Sequence, residues 1–210
     1  MGKKYNKYEI TDIPHPDYPF LHRIRALRDI GDVKAGDLGG FVENSGNLSY
    51  QKNDDAWIYD DAIAAGDSFV DQGARLRDHA ILCGSAYASQ EAEVSGYARA
   101  EDHAYLRGKG TVLSGRACAS GNSVILTSRT TGESPVVDGS AFVYGIVMGK
   151  LHITGNAVIL SGERLDNDSA DLFEFNGAVR SVSRTAEREL LKPQTPEKAE
   201  RKPRGRGRER

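Results

Sequence analysis

The sequence predicts an all-β chain wound as a parallel β-helix, and three observations predict it. A small residue recurs every six positions: Ala56, Ala62, Ser68, Ala74, Ala80, Ala86, Ala92, Ala98, Ala104 and Gly110. Two residues after each stands another inward-type residue, namely Ile58, Ala64, Val70, Leu76, Leu82, Ala88, Val94, Ala100, Leu106 and Val112, so each hexad holds a short in-out alternation. The corner positions between them are Asp60, Gly66, Asp78, Gly84, Gly96, Asp102 and Gly108, residue types that tolerate the backbone conformations of a tight turn. An amphipathic helix needs a 3.6-residue period, which this segment lacks.

The same rhythm orders the rest of the chain. After one extra residue near Arg116 the pattern resumes at Ala117, Ala119, Ser123 and Ile125, lapses over 127–135, and returns at Val137, Ala141, Val143, Ile153, Ala157 and Ile159. The lapse reads as a protruding loop. Residues 1–50 read as a β-rich cap, with Tyr8, Ile10, Ile24, Ala26 and Leu27 to cover the first coil and glycines 36, 39 and 40 for tight turns. A solenoid needs such a cap because an open end exposes core and unpaired backbone. The β-helix proper is expected over 51–162, a covering segment over 163–191, and a disordered basic tail over 192–210. Leu172, Phe173 and Phe175 need a surface to pack on, and Val179, Val182, Ala186 and Leu190 are spaced as one side of a helix.

Composition sets the scale of the core. Leu, Ile, Val and Phe make up 45 of 210 residues, which favours a thin, regular interior over a bulky one. No run approaches 18 apolar residues and no apolar signal-peptide core follows the first lysines, so neither a membrane span nor a signal peptide is expected and the expected location is cytoplasmic. The near-neutral net charge of −2 hides an asymmetry: residues 51–178 carry 10 basic and 18 acidic side chains, and residues 179–210 carry 11 and five. An acidic body with a basic tail offers two electrostatic surfaces.

The Gly-Asn/Asp-Ala-x-Val rhythm, as in Val94 to Arg99 (VSGYAR) or Gly155 to Ile159 (GNAVI), resembles the hexapeptide repeats of left-handed parallel β-helices. The left hand and a coil of three hexads are what that resemblance implies, and they give about five coils. Residues 22–29 (HRIRALRD), 31–42 (GDVKAGDLGGFV), 47–49 (NLS) and 57–62 (WIYDDA) resemble, more narrowly, a largely uncharacterised family of bacterial, plasmid and phage β-helical proteins. Members are sometimes labelled acyltransferases from the repeat alone. The resemblance covers about residues 8–162 and implies a fold and a mobile-element setting, without an established chemistry.

With three hexads per turn, residues 18 apart share a face. The outward residues then fall into a Trp57 column (Trp57, Arg75, Glu93, Thr111), an Ile63 column (Ile63, Ile81, Arg99, Cys118) and a Phe69 column (Phe69, Tyr87, Tyr105, Val124, Phe142). Leu126 and Tyr144 adjoin the last. This aromatic ladder is apolar throughout, of a size that marks an interaction surface. It awaits one of three covers: the segment 163–191, a second copy of the chain in a homo-oligomer, or a foreign protein partner.

Chemistry is read mostly by exclusion. An acyl-coenzyme A-dependent transferase would need a histidine base, and the candidates are His79 and His103, each in an Asp-His-Ala corner with Asp78 or Asp102 to orient it. They lie 24 residues apart, on different edges. His152 has no obvious partner in sequence. No histidine spacing suits a metal site and no cofactor motif is present. Cys83 and Cys118 sit two coils apart, too far for a disulfide. Arg204, Arg206, Arg208 and Arg210 in the tail point to salt-sensitive nucleic-acid contact. The sequence favours a non-catalytic binding scaffold, anchored by Phe69, Tyr87, Tyr105, Phe142 and Tyr144. One form of it is a mobile-element accessory protein whose Asp60, Asp61, Asp67, Asp71 and Asp78 mimic nucleic acid toward a basic host or defence protein. Acyl transfer and tail-borne nucleic-acid binding are the alternatives.

Overall fold

The computed structural model describes residues 7–184 as a parallel β-solenoid, with no helix among them. Three sheets make its faces. On the Trp57 face, Trp57, Arg75, Glu93, Val112, Val136, His152 and Glu174 lie in parallel register. The Ile63 face aligns Phe41, Ile63, Ile81, Arg99, Cys118, Phe142 and Val158. The Phe69 face aligns Phe69, Tyr87, Tyr105, Val124, Ile146 and Arg164, preceded by a bridge between Leu48 and Val70. That makes seven rungs rather than the five expected. The extra ones come from residues 38–50 and 163–176, which wind with the solenoid without carrying the Ala-x-aliphatic signature.

The core is as thin as the composition implies. The eight alanines from Ala56 to Ala104 and Ser68 are fully buried, as are the inward residues two positions on, from Ile58 to Leu106. An alanine beside each corner leaves room for the aliphatic residue of the neighbouring face, and dispersion contacts across this narrow prism replace a bulky centre. All seven corner positions read from the sequence adopt positive φ, between 50° at Asp60 and 109° at Gly108. The corner carboxylates also tie successive rungs together: Asp60 accepts the Asp78 N–H at 3.1 Å, and Asp78 accepts the Gly96 N–H at 2.8 Å. Further along this corner glycines stack on one another, and a Cβ at Gly139 would lie 2.7 Å from the backbone nitrogen of Gly155.

Two register changes differ from the sequence reading. The extra residue lies at Gly108–Gly110, not near Arg116, because Tyr105 pairs with Tyr87 while Val112 already pairs with Glu93, 19 residues back. Thr111 and Leu113 are therefore the buried pair, Gly110 is exposed and Val112 faces outward. Glycines at 108 and 110, with φ of 109° and 83°, build the wider corner. Beyond the loop at 127–135 the next corner contracts at Gly145, where a Cβ would sit 2.4 Å from the Glu163 carbonyl oxygen. Val124 consequently pairs with Ile146, and Phe142 stands on the Ile63 face beside Cys118.

The N-terminal region has two parts. Strands Tyr8–Pro14 and His22–Ala26 pair antiparallel, and Leu38–Val42 then joins the solenoid in parallel. Tyr8, Ile24 and Ala26 are buried as expected, while Ile10 and Leu27 are exposed. Gly36 turns with φ of 97°, but Gly39 and Gly40 are strand residues under close approach: a Cβ at Gly40 would meet the Ala62 carbonyl oxygen at 2.3 Å. A Cβ at Gly39 would lie 2.8 Å from the Trp57 ring, and Trp57, expected on the outside, is buried beneath the cap and edge-on to Tyr8 at 6.4 Å. The arginines of the HRIRALRD segment are staples. Arg23 donates to the Gly39 carbonyl at 2.9 Å, the Asp60 carbonyl at 2.7 Å and Asp61 at 2.7 Å, and Arg28 donates to the Lys52 carbonyl. Asn47 is fully buried with its amide satisfied on both sides, donating to the Gly66 and Ser68 carbonyls and accepting the Glu43 and Asn44 N–H groups.

At the other end, Leu172–Asn176 extends the Trp57 face in parallel and Val179–Ser183 returns along it antiparallel. The helix expected from Val179 and Val182 is thus a strand. Its partner strand turns Phe173 and Phe175 onto the terminal core rather than over the aromatic ladder. Ala186, Leu190 and the basic tail lie outside the described residues.

Candidate functional site

The Phe69 face carries the ladder that an uninterrupted 18-residue period dictates. Phe69 stacks on Tyr87 with centroids 5.9 Å apart, and Tyr105 packs against Tyr87 at 5.4 Å with its ring tilted by 33°. All three rings are half-buried, and the stripe continues through Val124 and Ile146, flanked by Leu126 and Met148. The tyrosine hydroxyls are anchored. Tyr87 donates to Asp71 at 2.8 Å, and burial together with that carboxylate pushes its hydroxyl pKa up to about 12. Arg107 donates to the Tyr105 oxygen at 3.3 Å.

Phe142 and Tyr144 do not belong to this ladder. They stand on the Ile63 face, stacked 6.4 Å apart, beside Val158 on the last strand of that sheet, Val158–Ile159, and Leu160 just after it. These four are 41, 37, 48 and 58% exposed, a second apolar patch on a different face. The five anchor residues read from the sequence thus divide into two surfaces.

His79 and His103 are exposed and stand at different corners, as their spacing implies. The aspartates expected to orient them serve the backbone instead. Asp78 accepts the Gly96 N–H, while Asp102 accepts the Ser120 hydroxyl at 2.6 Å and the Gly121 N–H at 2.9 Å, bonds that hold its carboxyl below the usual range. His79 stacks on Tyr97 at 4.8 Å. His152, which has no evident partner in sequence, lies between two carboxylates: Nε2 is 3.0 Å from Asp138 and Nδ1 is 3.3 Å from Glu174. Sequence could have found Glu174, because 22 residues separate it from His152, but only by knowing how the last coils are spaced. With both ring nitrogens engaged, His152 ties the last strands together and has no nitrogen open to a substrate.

The thiols are unreactive by environment. Burial raises the pKa of both, that of Cys118 to about 11, which disfavours the nucleophilic thiolate, and both are free. No cluster that could hold a metal ion occurs among the described residues. No helix among them is long and apolar enough to cross a membrane. The five aspartates offered as a nucleic-acid mimic fall at three different corners, with Asp61 paired to Arg23 and Asp71 to Tyr87, so they form no single stripe. Arg204, Arg206, Arg208 and Arg210 lie outside the described residues.

No protein-family model matches the chain. A stretch of 68 residues, 32% of the chain, is 35% identical to the uncharacterized acetyltransferase YdcK of Escherichia coli K12 and spans 20% of that protein. The chain is therefore distantly and partially similar to a protein named an acetyltransferase.

Proposed function

We propose that this chain is a non-catalytic recognition scaffold that binds a protein partner through the aromatic ladder of the Phe69 face. The observation that carries the reading is the stack of Phe69, Tyr87 and Tyr105 on an outward face, continued by Val124 and Ile146, while the described C-terminal strands pair elsewhere. Five rungs at ~4.8 Å give a stripe about 20 Å long, and aromatic anchors dominate interface energetics. Rings already stacked and tethered lose little further freedom on docking, which favours recognition. Turnover would ask for a base with a free, oriented nitrogen, and the aspartates beside His79 and His103 are committed to backbone.

The test is capture of a binding protein from nuclease-treated extract of the encoding organism, followed by reconstitution with that protein purified. Binding lost in a Tyr87→Lys/Tyr105→Lys double variant that keeps its circular-dichroism spectrum supports the scaffold. Sedimentation of the purified chain runs in parallel, and concentration-dependent self-association lost in the same variant would replace a foreign partner by a second copy.

The similarity to YdcK favours a second reading, acetyl transfer from an acyl-coenzyme A thioester. That reading expects release of free coenzyme A from acetyl-coenzyme A in the presence of an amine or hydroxyl acceptor, with turnover lost in His79→Ala or His103→Ala. Absence of turnover across an acceptor panel would set it aside.

A further inference from the structure

A groove of about 400 Å³ runs along the N-terminal half of the Ile63 face, between the turn at 15–18 and the corner that carries His79 and Tyr97. Its inner end shows how this molecule holds a guanidinium. The Arg23 Cζ lies 4.2 Å from the centre of the Phe41 ring, and its Nη2 is 2.7 Å from Asp61. Arg77 repeats the arrangement at 4.0 Å over Tyr59, with Asp32 at 3.9 Å. A ring face below and a carboxylate beside are a cation-π site supplemented by charge.

The outer half of the groove offers the same components without a cation. Tyr97 is 61% exposed and is braced by its stack on His79; across the groove Tyr18 is 48% exposed. Asp17 lines this half and makes no ion pair among the described residues. The turn that carries it is held at the backbone, where His15 Nδ1 accepts the N–H groups of Asp17 and Tyr18 at 3.1 and 3.3 Å. Ile63 and Ile81 form an apolar floor between the walls. With Asp61 matched by Arg23, the lining is left with one uncompensated carboxylate, the outer face of Tyr97, the part-exposed Tyr18 ring that packs against His15 and Phe20, and a hydrocarbon floor.

We propose that this groove binds an arginine side chain of a basic partner peptide, its methylenes on Ile63 and Ile81 and its guanidinium against Tyr97 and Asp17. The planar guanidinium suits both a ring face and a carboxylate, and its stem suits an apolar floor. The groove lies on a different face from the aromatic ladder and stands independently of the partner proposed there.

The test is fluorescence anisotropy with the full chain in 150 mM salt, using a labelled eight-residue peptide of alternating Gly and Arg and its citrulline counterpart, which keeps the shape and loses the charge. The arginine peptide is expected to bind at least tenfold more tightly than the citrulline peptide. Tyr97→Ala and Asp17→Asn, both exposed and remote from the core, should each weaken binding about tenfold, while Tyr50→Ser, an exposed tyrosine outside both the groove and the ladder, leaves it unchanged. Equal binding of the two peptides, no binding, or loss with added salt but not with Tyr97→Ala would overturn the site in favour of diffuse attraction to the acidic body. Binding seen only after Arg204, Arg206, Arg208 and Arg210 are replaced by Gln would make the chain's own basic segment the occupant and overturn the assignment to a partner.

Discussion

The coils from Trp57 to Arg107 and those from Gly108 to Asn176 share one cross-section but are specified differently. In the first stretch every rung is 18 residues long and every small inward position is Ala or Ser, so one side-chain volume and one corner bond, from an Asp carboxylate to the backbone of the next rung, repeat along it. In the second, spacings of 19, 22 and 24 residues occur, and individual polar clips hold the rungs: Ser128 to Asp168, His152 between Asp138 and Glu174, and Asn167 to the Lys150 and Asp171 carbonyls. Regularity has a functional consequence. Rings stack along a solenoid only where the period holds, which is why the ladder of Phe69, Tyr87 and Tyr105 lies in the first stretch while Phe142 falls on another face.

The contrast can be sharpened by substitution. The largest effect is expected from Leu106→Ala in the regular stretch, a fully buried side chain at the centre of a narrow prism, with a loss of about 2–5 kcal/mol in urea unfolding. A loss well under 1 kcal/mol would mean that volume does not specify these coils. Ala98→Leu, which adds volume where the prism has none, should cost about 1–3 kcal/mol on the same measurement.

A polar clip at the cap gives a pH signature. Lys7 is fully buried, its ammonium donates to the Ala56 carbonyl, and burial lowers its pKa to about 8, with Asp54 partly opposing the shift. Between pH 8 and 10 the unfolded chain keeps this proton and the folded chain releases it, so stability rises with pH in that window and the gain is lost below 8. Unfolding across pH 8 to 10 should show about 2 kcal/mol more stabilisation in the wild type than in Lys7→Met, after which the two curves run parallel. Identical curves would contradict the burial of a charged lysine. The smallest effect is expected from excising residues 129–132, at the tip of the loop in the irregular stretch; a cost under ~1 kcal/mol fits a surface loop whose length does not set the register. A larger cost would move that loop into the specifying set.

How much was legible in the sequence follows the same division. The hexads exposed the alanine column, the inward aliphatics and all seven corner positions, because an unbroken period makes position equivalent to environment. The register beyond Arg107 was not legible, since Gly108 and Gly110 each suit a corner and the alignment depends on which is counted. Trp57 read as outward because burial under Gly39 and Gly40 is a long-range contact with no local signal. His152 read as unpartnered for a similar reason: its carboxylates come from neighbouring rungs, 14 and 22 residues away. At the ladder, chemistry and period coincide, and Phe69, Tyr87 and Tyr105 were read correctly as one column.

The central claim is that this column is an anchor for a protein partner. Its most direct test is isothermal titration of the purified partner against the wild type and against Tyr87→Ser/Tyr105→Ser, with Phe142→Ser/Tyr144→Ser as the comparison on the Ile63 face. The account predicts at least a hundredfold loss of affinity for the ladder variant and little change for the other. Unchanged affinity in the ladder variant, with its unfolding midpoint preserved, would contradict it.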